Sequence, residues 1–225
     1  MMKRNLFVLF IFLFSFNVYA DVTGVNKEVV SDFTPSAKSS ILIEASTGDV
    51  IYSKNIEEKA AMASLTKVMT LLLTMEALED KTIFLTDDVY VSKNAASMGG
   101  SQIYIGENNK IKLLDLLKGI GIASANDAAV AVAEHVSGNE EKFVLMMNDK
   151  AKKLGLKNTV FKNSHGLDEE GHFSSAEDLA IIARELVKYP LILSITSTYE
   201  EYLKINGENR WLVNTNKVVY SISIK

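Results

Sequence analysis

The chain has 225 residues, of which 48% are hydrophobic and 23% are charged, a balance typical of a globular protein with a sizeable core. Its net charge of −4 comes without a long basic run, which argues against a nucleic-acid partner. The sequence contains no cysteine, which excludes a cysteine nucleophile, a disulfide framework and thiolate metal sites.

The N-terminus has the pattern of an export signal. Lys3 and Arg4 precede the apolar run 6–16, and Val18-Tyr19-Ala20 then provides a small-x-small cleavage pattern. A membrane span is the alternative, but it needs about 20 apolar residues and this run is shorter. We therefore predict a signal peptide over residues 1–20 and a mature protein outside the cytoplasm.

A β-hairpin is expected before the first helix. Residues 21–38 are polar and irregular, which predicts a flexible lead-in. Segments 40–44 and 50–52 have strand composition, and Thr47-Gly48-Asp49 between them favours a turn. From Leu65 to Leu78, apolar residues at helical spacing predict a helix that is apolar on nearly all sides and is therefore buried.

The middle of the chain is predicted to be mainly helical. Two short extended pieces, 84–91 and 102–105, come first. Helical spacing and stop signals then predict three helices, at 113–119, 127–136 and 140–154.

The last part of the chain begins with a polar loop over residues 163–172. Ser174 and Glu177 then have the spacing of a capping box, which predicts a helix that ends before Pro190. The tail contains two strand-like segments, 199–205 and 211–224.

One Ser-x-x-Lys spacing occurs in the chain, at Ser64 and Lys67, where the apolar helical run begins. On a helix these side chains share a face about one turn apart, so the lysine amine can reach the serine hydroxyl. The structural alternative makes Ser64 a helix N-cap and Lys67 a solvent-facing lysine. A lysine at this position meets the positive end of the helix dipole, which helps a buried amine lose its proton, as a general base must.

A second constellation lies at Ser124 and Asn126, in a small-residue corner between two predicted helices. A hydroxyl and a carboxamide on one tight turn can shuttle a proton and bind a substrate carbonyl or peptide. Helix capping is again the structural alternative, and Ser-x-Asn also occurs at Ser53, Ser92 and Ser137. Only Ser124 lies at an apolar corner between helices, and we prefer it for that reason.

The chain closely resembles the serine D-alanyl-D-alanine carboxypeptidases, the low-molecular-mass penicillin-binding proteins of bacterial cell walls. Four motifs carry this resemblance in order: Ala63-Ser64-Leu65-Thr66-Lys67, Ser124-Ala125-Asn126-Asp127-Ala128, Leu154-Gly155-Leu156-Lys157-Asn158-Thr159 and His165-Gly166-Leu167-Asp168. The resemblance implies a mixed α/β (α+β) fold like that of the β-lactamases over residues 39–225. Its helical part, about residues 65–190, would lie beside an antiparallel sheet.

The resemblance also implies a reaction. Ser64 would attack the carbonyl between two D-alanines of a peptidoglycan stem peptide, lose its proton to Lys67 and form an acyl-enzyme. Ser124 would relay a proton to the leaving amine, Asn126 would bind the peptide, and His165 would contribute to the substrate-binding rim. β-Lactam antibiotics would acylate Ser64, and no cofactor is implied. The enzyme would act outside the cytoplasm, at the cell wall. The resemblance leaves open whether a full-length parent associates peripherally with the membrane.

The third motif of this family, Lys-Thr-Gly or Lys-Ser-Gly, does not occur in the sequence. Lys81-Thr82-Ile83 is too early and lacks the glycine, whereas Asn214-Thr215-Asn216-Lys217 resembles the segment that usually precedes the motif. We therefore expect a truncation before that strand, an incomplete sheet, and little carboxypeptidase activity, because a second cation that tunes Lys67 would be missing. The alternative is a non-catalytic remnant that at most binds penicillin or cell-wall peptide.

The residue types also allow three other site chemistries. A class A β-lactamase needs a glutamate four residues before an asparagine, and no such pair occurs. A Ser-His-Asp hydrolase could use His165 and Asp168, but no Gly-x-Ser-x-Gly elbow is present. His165, His172 and the acids between them are suitable metal ligands, although we favour a solvated loop at the rim of the cleft.

Overall fold

The computed structural model describes residues 32–219. The predicted signal peptide lies outside the described residues, as do most of the lead-in and residues 220–225. Near the start of the described residues, the Asp32 carboxylate accepts the backbone N–H of Thr34 at 2.9 Å. The larger compact unit begins at Ser36. Within residues 32–219, every helix is too short or too polar to cross a bilayer.

In its described residues, this unit begins with two strands, ends with two strands and is mainly helical between them. The strands are β1 (Ser40–Ile43), β2 (Val50–Lys54), β3 (Asp88–Tyr90), β4 (Lys110–Lys112), β5 (Glu200–Ile205) and β6 (Glu208–Val213). The helices are α1 (Thr66–Glu79), α2 (Lys93–Ala96), α3 (Leu113–Ala123), α4 (Asn126–Ser137), α5 (Glu140–Lys153), α6 (Ala176–Leu186) and α7 (Pro190–Thr196).

The predicted first hairpin is confirmed, since β1 and β2 pair antiparallel. Its turn is held by the Glu44 carboxylate, which accepts hydrogen bonds from the Ser46 hydroxyl at 2.7 Å and from the Thr47 backbone N–H at 2.6 Å. These bonds lower the pKa of Glu44 to about 2. In the described part of the chain, the strands form three separate two-stranded antiparallel sheets: β1-β2, β3-β4 and β5-β6.

Helix α1 is the buried centre of the fold, as its apolar sequence predicts. It packs against α4, α5 and α6. Met69, Leu72 and Met75 are almost fully buried, and so are the polar Thr70 and Thr74. A buried helix in contact with three others is held at a fixed position, so groups at its N-terminus are also fixed.

The predicted strand 102–105 is wrong: this segment is irregular. The buried Asp127 carboxylate accepts the backbone N–H groups of Ile103 and Ile105, each at 3.2 Å, and replaces the partner strand that would otherwise be needed. The piece at 84–91 shortens to β3, which pairs with β4.

Helix α3 continues past its predicted end at Gly119. Glycine at positions 119 and 121 leaves room for neighbouring side chains, because a Cβ at either would lie 2.7 Å from Ile103 or Ile195. Close packing therefore explains these glycines, whereas the predicted helix ends at Gly138 and Gly155 do have the positive φ of a helix stop.

Three further expectations are corrected in the second half of the chain. Ser175 caps α6 by accepting the Asp178 N–H at 3.2 Å, whereas the Ser174 hydroxyl contacts Thr159. Helix α7, which begins at Pro190, was not predicted. In residues 32–219 the last strand is β6, so the predicted strand over 211–224 is wrong for its described residues beyond Val213.

Candidate active site

The Ser64 hydroxyl and the Lys67 amine meet at the start of α1. Lys67 Nζ donates a hydrogen bond to Ser64 Oγ at 3.2 Å and a second to the backbone carbonyl of His165 at 2.6 Å. Ser64 is exposed, whereas only 3% of Lys67 is exposed. An accessible hydroxyl next to a buried amine is the arrangement that a nucleophile and its base require.

The structural alternative for this pair is wrong. Ser64 lies in a 3-10 turn, Ala63–Leu65, ahead of α1, and neither this turn nor α1 has a side-chain cap. The backbone N–H of Ser64 has no acceptor among the described residues, so it is available to an oxyanion. Lys67 is buried and does not face solvent.

Burial controls the protonation of Lys67. Loss of solvent lowers its pKa from 10.5 to about 8, because a charged amine is poorly solvated inside the protein. Within residues 32–219, no carboxylate lies within ion-pair distance of Lys67 to oppose this effect. The His165 carbonyl can only accept a hydrogen bond, so it holds one N–H of Lys67 and leaves the lone pair of the neutral amine for the Ser64 hydroxyl.

The 163–172 loop holds the first turns of α1 in place. The Thr70 hydroxyl donates to the Ser164 carbonyl at 2.6 Å, next to the contact between Lys67 and His165. Gly166 makes this approach possible: it has φ +92°, and a Cβ there would lie 2.0 Å from the Ala63 carbonyl oxygen.

The two histidines of this loop are structural parts of it. His165 and His172 are only 7% and 6% exposed, so the solvated-loop interpretation is wrong for them. His172 Nδ1 accepts the Lys162 N–H at 2.9 Å, so its Nε2 carries the proton and donates to Thr66 Oγ1 at 2.7 Å. Burial lowers the pKa of both imidazoles and favours these neutral forms.

Glu140, the first residue of α5, anchors the same loop. Its carboxylate accepts the backbone N–H of Ser164 at 3.0 Å and the Ser164 hydroxyl at 2.7 Å, and it lies 3.7 Å from His165 Nε2. His165 Nδ1 accepts the Leu167 N–H at 3.1 Å. The imidazole is therefore held inside the loop, and the part of His165 that touches the reactive pair is its carbonyl.

Ser124 forms the predicted corner between α3 and α4. It has a left-handed backbone, with φ 56° and ψ 35°, and its hydroxyl makes no hydrogen bond to any residue of the described chain. The Asn126 carboxamide donates to the Gly99 carbonyl at 2.7 Å, and the Asn126 backbone N–H donates to the Ser101 carbonyl at 2.7 Å. Asn126 thus ties the corner to the 99–101 segment.

A cleft of about 560 Å³ brings Ser64, Lys67 and Ser124 together, and Thr196 and Thr215 also line it. Asn126 and His165 are not among the residues that line it. A second groove, of about 450 Å³, lies between β1 and α6 and is lined by apolar side chains and Arg184. Only the first cleft contains a paired nucleophile and base.

Several contacting residues were missed by the sequence interpretation. Thr66 and Thr70 lie beside Lys67 on an otherwise apolar helix, and such buried hydroxyls need partners, so their positions were an available signal. Glu140 and Thr215 carried no comparable signal, because distant segments bring them to the site.

The other site chemistries have less support. No group of three or more potential metal ligands among His, Asp and Glu occurs in residues 32–219. No serine hydroxyl bonds to His165 in this part of the chain, and Asp168 is exposed, so the parts of a Ser-His-Asp triad do not meet.

The fold is similar to the β-lactamase-like fold of solved penicillin-binding proteins. Penicillin binding protein 6B from Escherichia coli superposes with a TM-score of 0.76 at 34% identity, covering 82% of this chain and 59% of that chain. Penicillin binding protein 5 from Haemophilus influenzae also reaches a TM-score of 0.76, at 32% identity, covering 83% and 54%. The predicted fold class is confirmed.

The sequence comparisons agree. The model of the D-alanyl-D-alanine carboxypeptidase family, Peptidase S11, matches residues 26–225. D-alanyl-D-alanine carboxypeptidase DacF from Bacillus subtilis is 55% identical over 84% of this chain and 49% of that protein. D-alanyl-D-alanine carboxypeptidase DacC from Escherichia coli is 39% identical over 79% and 45%. The chain belongs to this family and spans about half the length of these relatives.

Proposed function

We propose that the protein is a serine-type D-Ala-D-Ala carboxypeptidase that acts on peptidoglycan stem peptides, with Ser64 as nucleophile and Lys67 as base. The observation that carries this proposal is the 3.2 Å contact between a buried lysine amine and an exposed serine hydroxyl in one cleft. The names of the relatives support the choice of reaction.

The reaction follows from the positions of these groups. Neutral Lys67 takes the proton of the Ser64 hydroxyl while Ser64 Oγ bonds to the carbonyl carbon between the two D-alanines. The C–N bond then breaks, and the proton held by Lys67 passes to the leaving amine, so free D-alanine departs. Water next attacks the ester, its proton goes to Lys67, and Ser64 recovers its own proton as the shortened peptide leaves.

Three further residues assist these steps. The Ser124 hydroxyl, which lines the cleft, relays the proton from Lys67 to the leaving amine. Asn126 binds the peptide from the same corner, although its amide group is already engaged by Gly99. His165 supports the substrate-binding rim and contributes most directly through its carbonyl, which orients Lys67.

β-Lactam antibiotics present a strained amide to the same nucleophile, and similar solved structures are those of penicillin-binding proteins. We therefore propose that they acylate Ser64 and inhibit the enzyme. The N-terminal export pattern supports a location outside the cytoplasm, where peptidoglycan lies.

Mass spectrometry of the chain after incubation with benzylpenicillin tests this proposal. We expect one penicilloyl adduct per chain, mapped to the peptide that contains Ser64, and none in the Ser64→Ala variant. The matched control is Ser53→Ala, an exposed serine of another Ser-x-Asn triplet, which should keep the adduct. Ser124→Ala should slow formation of this adduct, whereas Ser137→Ala should not.

A folded sample that forms no adduct between pH 7 and pH 9 would contradict the proposal and support the non-catalytic alternative. An adduct on a residue other than Ser64 would also contradict it.

A further inference from the structure

The β5-β6 hairpin exposes two large aromatic rings side by side. Tyr202 and Trp211 are cross-strand partners, with exposed fractions of 67% and 58%. Their ring planes are 16° apart and their centroids 6.3 Å apart. Because the centroids are farther apart than in a fully overlapped pair, the two nearly parallel rings overlap only in part.

The opposite face of this hairpin is buried against the body of the protein. Leu203, Ile205 and Leu212 are at most 3% exposed, and β6 packs on α3. The hairpin is therefore fixed, and Tyr202 and Trp211 must point outward. An exposed aromatic pair on a rigid support is a common feature of binding surfaces, because little conformational entropy is lost when a ligand binds.

A side-chain contact fixes the Trp211 ring in one orientation. Its indole N–H donates to the Glu200 carboxylate at 3.0 Å, along the same outward face. Lys204 and Asn209, an opposite pair in the register, follow at the other end of the rings. The outward face thus combines two exposed aromatic rings with hydrogen-bonding groups at both ends.

These features match a saccharide better than a lipid. The C–H groups on one face of a pyranose ring carry partial positive charge and pack on the negative face of an aromatic ring, while hydroxyl and acetamido groups bond to polar neighbours. On the outward face of the hairpin, one carboxylate (Glu200) accompanies one cation (Lys204), so this face has no excess of positive charge. A surface that binds anionic lipid is instead enriched in Lys and Arg.

The platform is close to the candidate active site. The strand that carries Trp211 continues through Asn214 to Thr215, which lines the cleft with Ser64. Asn214 fixes this connection, because its side-chain amide donates to the carbonyls of Thr196 and Thr198 at 2.9 and 2.7 Å. The four residues from Trp211 to Thr215 span at most about 14 Å, a length that a peptide of about four residues also covers.

We propose that Tyr202 and Trp211 form a saccharide-binding platform for the glycan to which the stem peptide is attached, placed so that the peptide can reach Ser64. The choice of this glycan rests on the proposed function. The platform itself can be tested without any acylation.

Trp211 is the only tryptophan in the chain, so its fluorescence reports directly on the platform. The purified chain is titrated with chitotetraose, a β-1,4-linked oligomer of N-acetylglucosamine. We expect a saturable change in Trp211 emission. Tyr202→Ala should weaken binding about tenfold or more, because one of two stacking rings is lost, whereas Tyr202→Phe should bind like the wild type.

Tyr90→Ala is the matched control, since it removes a tyrosine that is 54% exposed on β3 of another two-stranded sheet. This variant should bind like the wild type, and thermal unfolding verifies that each variant is folded. Equal affinity of Tyr202→Ala and wild type, or no response to the oligosaccharide, would overturn the platform. A response only to phosphatidylglycerol vesicles would overturn it in favour of a membrane surface.

The same samples separate this proposal from the function proposed above. A chain that binds chitotetraose but forms no penicilloyl adduct would retain the platform and contradict the carboxypeptidase assignment. A chain that is acylated at Ser64 but does not bind the oligosaccharide would contradict the platform alone.

Discussion

Replacing Lys67 by methionine should change how the free energy of unfolding depends on pH. In the wild type, burial places the pKa of Lys67 at about 8 instead of 10.5. One pKa unit corresponds to about 1.4 kcal/mol, so holding the charged amine in the fold at neutral pH costs about 3 kcal/mol. Because Lys67 is almost completely buried, solvent does not screen this cost appreciably.

The direction of the pH effect follows from proton binding. Between pH 8 and 10.5 the unfolded chain keeps the proton of Lys67 and the folded chain has lost it, so stability rises with pH across this window. The free energy of unfolding of the wild type therefore increases by about 2.5 kcal/mol from pH 7 to pH 10. Lys67→Met removes this dependence on pH. At pH 7 the variant no longer pays for a buried charged amine, but it leaves the His165 carbonyl unpaired, which costs about 1–3 kcal/mol and offsets that gain.

Urea unfolding of both proteins at pH 7 and pH 10 measures the effect. Other groups titrate equally in both, so the difference between the two proteins isolates Lys67. We expect the two proteins to have similar free energies of unfolding at pH 7. At pH 10 the wild type should be more stable than Lys67→Met by about 2.5 kcal/mol. Lys153→Met, at an exposed lysine, should leave the pH dependence unchanged. The same pH dependence in wild type and Lys67→Met would refute the reasoning.

Two further predictions concern the loop that holds α1. Gly166→Ala should destabilise the fold by more than about 2 kcal/mol and prevent acylation, because it adds a backbone clash to the strain of a positive φ. The control Gly155→Ala, with φ +73° and open space around it, should cost only about 1 kcal/mol and leave acylation intact. Equal losses of stability in thermal unfolding of the two variants would contradict this explanation. Thr70→Val should lower the free energy of unfolding, measured in urea, by about 1–3 kcal/mol, because it leaves a loop carbonyl unpaired. Thr74→Val should cost less than about 1 kcal/mol, because the Thr74 hydroxyl bonds only within α1. A larger loss of stability in Thr74→Val than in Thr70→Val would refute the role of the loop contact.

Local patterns predicted the elements of the fold well where the chain's own periodicity determines them. Helix α1, the first hairpin and the helix ends at Gly138 and Gly155 follow from spacing and turn residues alone. The errors occur where tertiary contacts decide. Asp127 binds the backbone of the 102–105 segment in place of a strand partner, and Gly119 stays helical because Ile103 packs against it.

The same division applies to the candidate site. Ser64 and Lys67 were predictable because their contact spans three residues of one helical turn. The contact between Lys67 and the His165 carbonyl joins residues 98 apart and uses a backbone atom, so no residue type could indicate it. The histidine motif was correctly located, but its imidazole is engaged inside the loop and its carbonyl reaches Lys67.

The pH dependence of penicillin acylation at Ser64 tests the central claim most directly. Only neutral Lys67 can accept the proton of Ser64, and its pKa of about 8 leaves roughly a tenth of it neutral at pH 7. The acylation rate, followed by intact mass in the wild type and in Ser64→Ala, should rise about tenfold per pH unit well below pH 8 and level off above it. A rate that stays constant from pH 6 to pH 9.5, or an adduct that persists in Ser64→Ala, would contradict the assignment of Ser64 and Lys67 as nucleophile and base.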